Sequence, residues 1–538
     1  MISLKYFHTP EIFRDIKSLK NSTRGYHLLK KTNNLSLVPK INQILCKTEF
    51  KKYKNYTNYF FFGKAKIDIE LSLRQYLMTI LVNYNFNKNL LASIGRGDRK
   101  MNYPLPKMWR NELLKNNFKI NNISGLFTWN LFLFKILFYG LFNNLKRLLI
   151  CIIGLFNNSI SDTEGGIYFD RLTKNNLPSK NKKKGKHNIV DWYHNNISKN
   201  KKNIYYHNVP NASNLKIGNS LLKKTSDNIQ PPGNLFSILI FFIWFILAFF
   251  QSIIKFLNGN FVHMIFYDQA SMAFLARNQK KHQIHKKYLL PQQYSWFKPL
   301  WTYQVESKGS EVYLYFYGVN PVVPRFKNHS GINQFYWELS NWKNYYVWNV
   351  SMKNFLRNRN PLNNPNIEVV GPVYYESDNT NYVPYNGKTI ALFDIEPKRR
   401  LYYNLLGLEN EYYNFKVNKD FIDDILKFAN EHGYMVLHKR KRKTGNWYRD
   451  LAYVKYTSRL KERINYISVD PDVSAYTIIK DCTLTVSMPF TSPSVYARHI
   501  GKPSIFYDPT RKILKDSDNA HNVKVVSGKN ELRTFFNN

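Results

Sequence analysis

The sequence predicts an α/β chain of two lobes, each built on a doubly wound parallel sheet, behind an N-terminal accessory region and membrane-associated helices. Three observations predict it. The length of 538 residues exceeds one ordinary domain and suffices to bury at least two cores. From Phe261 onward, nearly continuous short apolar runs alternate with helical patterns, the texture of strands covered on both faces. Ahead of Phe261, two long apolar segments flank a polar, lysine-rich stretch.

Residues 1–125 read as an accessory region or part of the first lobe. Their opening, MISLKYFHTPEIFRDIKSLK, is interrupted by charge throughout and has no apolar core of a secretion signal. Residues 126–156 are apolar but broken by Lys135, Lys146 and Arg147, which suits an interfacial or re-entrant helix with snorkelling basic chains. Residues 157–233 carry KNKKKGK at 180–186 and close on Pro231-Pro232-Gly233, so they read as a basic linker on the cytoplasmic side. In residues 234–258, NLFSILIFFIWFILAFFQSII has no charge over the length a bilayer core requires and reads as a membrane helix, a buried core helix being the alternative. The first α/β lobe is expected at 259–372, with strands in MIFYD, VYLYFYGV and IEVVGPV. The second is expected at 373–538, with strands in TIALFDI, YMVLHK, TLTVSM and PSIFYD and a helix over 420–432.

Lys and Arg number 79 against 36 Asp and Glu, a formal charge of +43 that favours anionic partners: nucleic acid, lipid head groups or nucleotide phosphates. Abundant Lys, Asn, Ile, Tyr and Phe also fit plain compositional drift. A nucleic-acid surface would interleave cations with stacking aromatics, whereas the aromatics here, 16% of the chain, fall largely inside apolar runs, so no nucleic-acid partner is expected. Cys46, Cys151 and Cys482 lie too far apart for a disulfide framework or a thiolate zinc site and suit a reducing compartment. His282 and His285 in KKHQIHKK read as an exposed basic helix, and Gly95-Arg96-Gly97-Asp98 as a commonplace loop. No metal is expected.

Open parallel sheets bind ligands beyond the carboxyl ends of their strands. After YMVL stand His438, Lys439 and Arg440, followed by Lys441 and Arg442, cations suited to phosphate, with a solvated basic loop as the plain alternative. After TLTVSM stand Pro489, Phe490, Thr491, Ser492, Pro493 and Ser494, and then a helical pattern. Strand, hydroxyl-rich turn and helix together form an anion site, because hydroxyls and free N–H groups converge on the positive end of the helix dipole. Simple capping of that helix is the competing reading.

The string VSMPFTSPSVYARHIGKPSIFYDP resembles the signature of the bacterial polysaccharide biosynthesis family named for its Pro-Phe-Thr-Ser motif, matched by Pro489, Phe490, Thr491 and Ser492. It is similar, more loosely, to the hydroxyl-rich turn in the C-terminal lobe of polyglycerol-phosphate and capsule transferases of the two-lobed GT-B fold. The resemblance spans roughly residues 261–538 and implies a metal-independent glycosyltransferase of surface polysaccharide, such as capsule or O-antigen, at the cytoplasmic face of a bacterial plasma membrane. It implies a nucleotide-sugar donor on the second lobe as substrate, no cofactor, a glycan or lipid-linked acceptor on the first lobe, and contact with membrane lipids. Asp394 and Glu396, after TIALF, and Asp508, closing PSIFYD, are then cleft candidates. An inverting transfer needs a base, for which Glu306 is favoured over Asp268. No D-x-D element stands where GT-A transferases require one. The alternatives from other classes are a basic nucleic-acid-binding protein and a noncatalytic membrane scaffold of an assembly complex.

Overall fold

The computed structural model describes residues 15–156, 166–173, 177–178, 189–199, 201–225, 227–232, 234–319, 326–327, 335–359, 364–373, 384–408, 412–440, 449–471, 473–516 and 520–538. The KNKKKGK run at 180–186, together with Lys441 and Arg442, lies outside them.

The N-terminal region is helical apart from a short parallel pair, β1 (Lys100–Met101) and β2 (Lys119–Ile120). Its helices Asp15–Lys31 and Tyr84–Arg96 cross with their backbones in contact, and glycine permits it. A Cβ on Gly25 would stand 2.0 Å from the Leu91 carbonyl oxygen, and one on Gly95 1.9 Å from that of Asn21. Gly97 ends the second helix in the left-handed region at φ 82°, so the Gly95–Asp98 stretch is a helix crossing followed by a helix stop.

The first lobe holds an eight-stranded sheet made of β3 (Ile167–Phe169), β4 (Ile204–His207), β5 (Leu215–Ile217), β6 (Ser220–Lys224), β7 (Lys287–Pro291), β8 (Glu311–Tyr315), β9 (Asn344–Val347) and β10 (Asn366–Val369). Its order is β10-β9-β8-β7-β3-β4-β6-β5, with every pairing parallel except β5 with β6. Two expectations are corrected here. Residues 157–233 are not simply a linker, because they supply four of these strands; β3 and β4 are short and carry buried Tyr168, Tyr205 and Tyr206, and β5 and β6 are a short pair interrupted by lysine, so no aliphatic run announces them. MIFYD is no strand but part of the helix Val262–Asn278, which is buried on nearly all sides; a run without a polar face carries no period to tell helix from strand.

The apolar segments form helices Asn122–Phe156 and Leu235–Leu257, which pack on each other and on Val262–Asn278. Ring contacts Phe134–Phe256 at 5.5 Å and Phe138–Phe249 at 5.8 Å show that the pair runs antiparallel. The Asn234 side chain caps the second helix by accepting from the Ser237 N–H at 2.8 Å.

The second lobe carries six parallel strands, β11 (Thr389–Phe393), β12 (Met435–Lys439), β13 (Tyr466–Val469), β14 (Leu484–Ser487), β15 (Ser504–Asp508) and β16 (Lys524–Ser527), in the order β13-β12-β11-β14-β15-β16. All five residues of β11 are buried, as a strand covered on both faces demands. The helix Phe415–Glu431 buries Val417, Phe421, Ile425 and Phe428 along one stripe and is capped by the Asn414 side chain on the Val417 N–H. The expected two-lobed architecture with parallel sheets is therefore the one observed.

Replacing Gly25 with Ala forces two helix backbones apart, and overpacking of this kind costs about 1–3 kcal/mol. A thermal melt of the Gly25→Ala protein is expected to fall by several degrees. Gly97→Asn, which meets nothing within 4 Å and tolerates left-handed backbone, is expected to melt within about a degree of the parent.

Candidate functional site

In each sheet the chain works outward from a central strand in both directions, and at that switch point the carboxyl ends of the strands open a crevice. In the second lobe it lies between β11 and β14, followed respectively by Asp394 and by the turn Met488–Thr491. In the first it lies between β3 and β7, followed by Asp170 and by Gln292–Tyr294.

The second-lobe turn is held tightly. The Met488 N–H donates to the Phe393 carbonyl at 3.0 Å. Phe490 adopts φ 62°, in the left-handed region, with its ring stacked on Phe506 at 5.5 Å. A non-glycine residue there costs on the order of 1–3 kcal/mol and persists only where the surroundings enforce it. Thr491 is the N-cap of the helix Ser492–His499 yet makes no side-chain cap; its hydroxyl donates to the Met488 carbonyl at 2.9 Å. Ser492, partly exposed, accepts at Oγ from the Val319 N–H at 3.1 Å, so the first turn of this helix meets the segment that follows β8 of the first lobe. Ser494 turns the other way. It is buried, 2.6 Å from Ser487 Oγ, and donates to the Ile505 carbonyl at 3.0 Å, locking helix to sheet. Pro489 is buried within the turn, and its carbonyl accepts from Tyr413.

The remaining second-lobe candidates form a buried network. The carboxylate of Asp394 is fully buried, accepts a hydrogen bond from Tyr453 and faces His438 Nε2 at 3.3 Å without hydrogen-bond alignment. His438 Nδ1 pairs with the Tyr466 hydroxyl at 2.8 Å. Burial, with the Asp394 charge beside it, holds the Tyr453 hydroxyl protonated far above its usual range. Glu396 is engaged by Arg449, Nη2 to Oε2 at 3.1 Å. Lys439 is also buried, with Nζ donating to the Pro471 carbonyl at 3.1 Å. Asp508 accepts from the Tyr412 hydroxyl at 2.8 Å and from the Thr510 and Ile513 N–H groups, bracing the loop after β15. Arg440 is half-buried, and its Nε has no hydrogen-bond partner among the described residues, which leaves a cation at the carboxyl end of β12.

Both expected bases are placed elsewhere. Asp268 sits within Val262–Asn278 and pairs with Arg147 of the long apolar helix at 2.8 Å. Glu306 closes the helix Leu300–Ser307 ahead of β8, at the amino edge of the sheet, where Lys298 Nζ donates to both its carboxylate oxygens at 2.9 and 2.8 Å. His285 is no part of an exposed basic helix: it is buried against the rings of Tyr168 and Tyr206, and burial lowers its pKa to about 3. Among the described residues no group of three or more His, Cys, Asp or Glu side chains converges as a metal site.

Asp170 was not expected, because its strand lay in the supposed linker. It directly follows β3, and its backbone N–H donates to the Leu289 carbonyl of β7 at 3.0 Å. Burial raises its pKa from 3.8 to about 6 against the opposing effects of the Tyr294 hydroxyl and Arg171. Its Oδ2 lies 3.8 Å from Arg171 Nε and has no hydrogen-bond partner among the described residues. Arg171 lies over the Tyr294 ring at 3.9 Å, and burial also raises the pKa of Asp227, close by. The legible signal was Asp directly after an apolar triplet, the pattern that was recognised at Asp394.

The chain belongs to the family described as polysaccharide biosynthesis PFTS motif protein, whose family model matches residues 242–536. No curated protein matches it. Among solved structures it is similar to the wall teichoic acid polymerase TagF, with 11% identity, 68% of this chain and 78% of that chain covered, and a TM-score of 0.32. The others include apo UGT2 of Phytolacca americana, with 9% identity, 66% and 83% covered and a TM-score of 0.30, and the spinosyn rhamnosyltransferase SpnG, with 11%, 69%, 92% and 0.28.

Ser494→Ala would leave Ser487 Oγ and the Ile505 carbonyl short of a partner inside the lobe, a loss of about 1–3 kcal/mol. The variant is expected to melt several degrees lower in the absence of any ligand. A melt equal to the parent's would show that Ser494 has no structural part.

Proposed function

We propose that the protein is a glycosyltransferase of bacterial surface-polysaccharide synthesis, working at the cytoplasmic face of the plasma membrane and moving a sugar from a nucleotide donor to a membrane-proximal, lipid-linked acceptor. The observation that carries this reading is the strained turn at Phe490 delivering Thr491 and Ser492, with no side-chain cap, to a helix N-terminus at the second lobe's switch point. In this reading the donor diphosphate or monophosphate sits against that turn, stabilised by the helix dipole, the two hydroxyls and Arg440. The leaving phosphate is neutralised there without a metal.

Asp170 takes the place of Glu306 as base. Adjacent strands lie about 4.8 Å apart, so β3 is roughly 10 Å across the sheet from β8, whose continuation reaches Ser492. The acceptor hydroxyl gives its proton to the Asp170 carboxylate while its oxygen attacks the anomeric carbon and the bond to the donor phosphate breaks, which inverts the anomeric centre. The helix Val262–Asn278 of the first lobe packs on both apolar helices, which favours a lipid-linked acceptor over a free glycan.

The test begins with calorimetric titration of the full chain with UDP, GDP, CDP and TDP and their common sugar conjugates, followed by transfer from the tightest donor to lipid extract. Thr491→Ala/Ser492→Ala is expected to weaken donor binding roughly ten- to hundredfold, about 1–3 kcal/mol. Unchanged binding of every nucleotide the parent binds would place the donor elsewhere.

Asp170→Asn should keep donor affinity and lose turnover by about a hundredfold or more. In the parent, kcat/KM should fall as pH drops through about 6, as the base becomes protonated. The stability sign is opposite to that of a salt-bridged carboxylate. A folded-state pKa above the unfolded 3.8 makes the folded protein bind the extra proton between about pH 4 and 6, so stability contributed by this group is lost as pH rises through that window. Asp170→Asn should therefore melt no lower than the parent at pH 7.5 even as it loses activity.

A further inference from the structure

We infer that the helices Asn122–Phe156 and Leu235–Leu257 lie along a phospholipid bilayer rather than across it, inserting one shared apolar face into a single leaflet. By length and composition each is able to cross a membrane. The fold forbids it. The chain between the two helices supplies β3, and β3 pairs in register with β7, which comes after both, Tyr168 opposite Tyr288. The chain before both helices is tied to the same body: Gln75 Nε2 donates to Asn341 Oδ1 at 3.0 Å, and Gln75 Oε1 accepts from the Lys298 N–H at 3.3 Å. Segments before, between and after the helices thus occupy one side. A helix that crossed once would deliver its ends to opposite sides and break one of these connections.

What the helices present outward is apolar. Along Leu235–Leu257, Phe236, Ile240, Ile243, Leu247, Phe250, Ile254 and Leu257 recur at three- or four-residue steps and are 39% to 74% exposed, with no charge among them. The opposite face, with Phe241, Phe245 and Ala248, is buried, and the Tyr267 hydroxyl of Val262–Asn278 donates to the Phe245 carbonyl at 2.7 Å. The antiparallel neighbour adds Phe127, Leu131, Phe138, Phe142 and Leu149, all exposed on one stripe. Together they form an apolar patch far beyond what a soluble surface leaves uncovered.

Charge selects lipid as the occupant. Lys135 is exposed within the stripe of the long helix and Lys146 at its edge. Lying in the plane, both reach phosphate head groups by snorkelling, whereas a crossing helix would carry Lys135 toward the hydrocarbon centre. The chain's +43 charge favours an anionic leaflet. A second copy docked on this face would set its lysines and apolar side chains against the same lysines and apolar side chains.

The experiment uses the full chain, exchanged from detergent into preformed sealed vesicles of phosphatidylcholine and phosphatidylglycerol at 3:1, read by flotation. The parent should float, in 0.5 M NaCl as well. Leu247→Glu/Phe250→Glu, exposed positions whose change leaves the core intact, should reduce flotation at least about tenfold while the thermal melt stays that of the parent. For orientation, Asn234→Cys and Asn258→Cys, at the exposed caps of the second helix, are labelled from outside with a membrane-impermeant maleimide, the native Cys46, Cys151 and Cys482 being buried. Equal labelling at both ends supports the in-plane arrangement, and protection of one end only would overturn it. A parent that stays at the bottom of the gradient as a stable dimer would also overturn it, assigning the patch to a second copy. Neither result depends on nucleotide binding, so this inference and the glycosyltransferase reading fail separately.

Discussion

The parallel pairing of β3 with β7 is the constraint on which the rest of the molecule depends. More than a hundred residues separate these neighbours, including three strands and the apolar helices Leu235–Leu257 and Val262–Asn278. Closing so long a loop has an entropic cost that grows only slowly with length, and the buried ladder around Tyr168, Phe169 and Leu289 offsets it. Once made, the pairing completes the first sheet. It brings Asp170 beside Tyr294 at the sheet's switch point and ties both chain ends of the apolar helices to one side.

The second lobe is built on the same logic with a shorter reach. Its order, with the first strand central and later strands added on either side, is the doubly wound order of nucleotide-binding sheets. The lobes meet through backbone as much as side chain. Val319 N–H reaches Ser492, Lys327 N–H reaches the Lys512 carbonyl at 2.9 Å, and His521 Nδ1 lies 3.1 Å from Asn349 Oδ1. A contact through the first turn of a helix that also carries the candidate anion site makes the separation of the lobes and the shape of that site one variable.

Legibility in the sequence followed the chemistry of burial. TIALF, LTVS and SIFYD are continuous apolar runs divided by capped helices, so the second sheet could be read, and its hydroxyl-rich turn with it. In the first sheet β8 and β10 were legible in VYLYFYGV and IEVVGPV, whereas β3 and β4 hid because they are three and four residues long and filled by tyrosine, and because the apolar helices interrupt the sheet between β6 and β7. Side-chain direction was illegible for a different reason. In β12 the residues Val436, Leu437, His438 and Lys439 are all buried, since both faces of the sheet are covered, so alternation cannot say which polar group reaches a ligand. His438 and Asp394 therefore read as ligand contacts, whereas in the fold they lie buried beside each other, hydrogen-bonded to Tyr466 and Tyr453 respectively. The sequence favours Glu306 and passes over Asp170 because it does not itself show the topology, which sets Glu306 ahead of β8 and Asp170 after β3.

In the in-plane arrangement inferred above, the same weighing of effects decides what would hold the protein to a bilayer. A basic residue near an anionic surface contributes about 1 kcal/mol, screened within a Debye length of roughly 8 Å at physiological salt. Full transfer of a Leu, Ile or Phe side chain from water contributes about 1.5–3 kcal/mol. Ten such residues are exposed on Leu235–Leu257 and eleven on Asn122–Phe156. Even at half that transfer energy each, since these side chains are already partly covered, the apolar face outweighs the handful of lysines beside it by several-fold. The net positive charge then governs approach and choice of leaflet, while the apolar face governs residence, and residence of this kind resists salt. The half-buried Arg147–Asp268 pair lies behind that face, where it stays bonded to Asn143 and Ser271, which in this arrangement keeps it out of the hydrocarbon. A charged pair on the inner side of an amphipathic helix is compatible with a helix in the plane of one leaflet, and it gives the helices a fixed rotation about their axes.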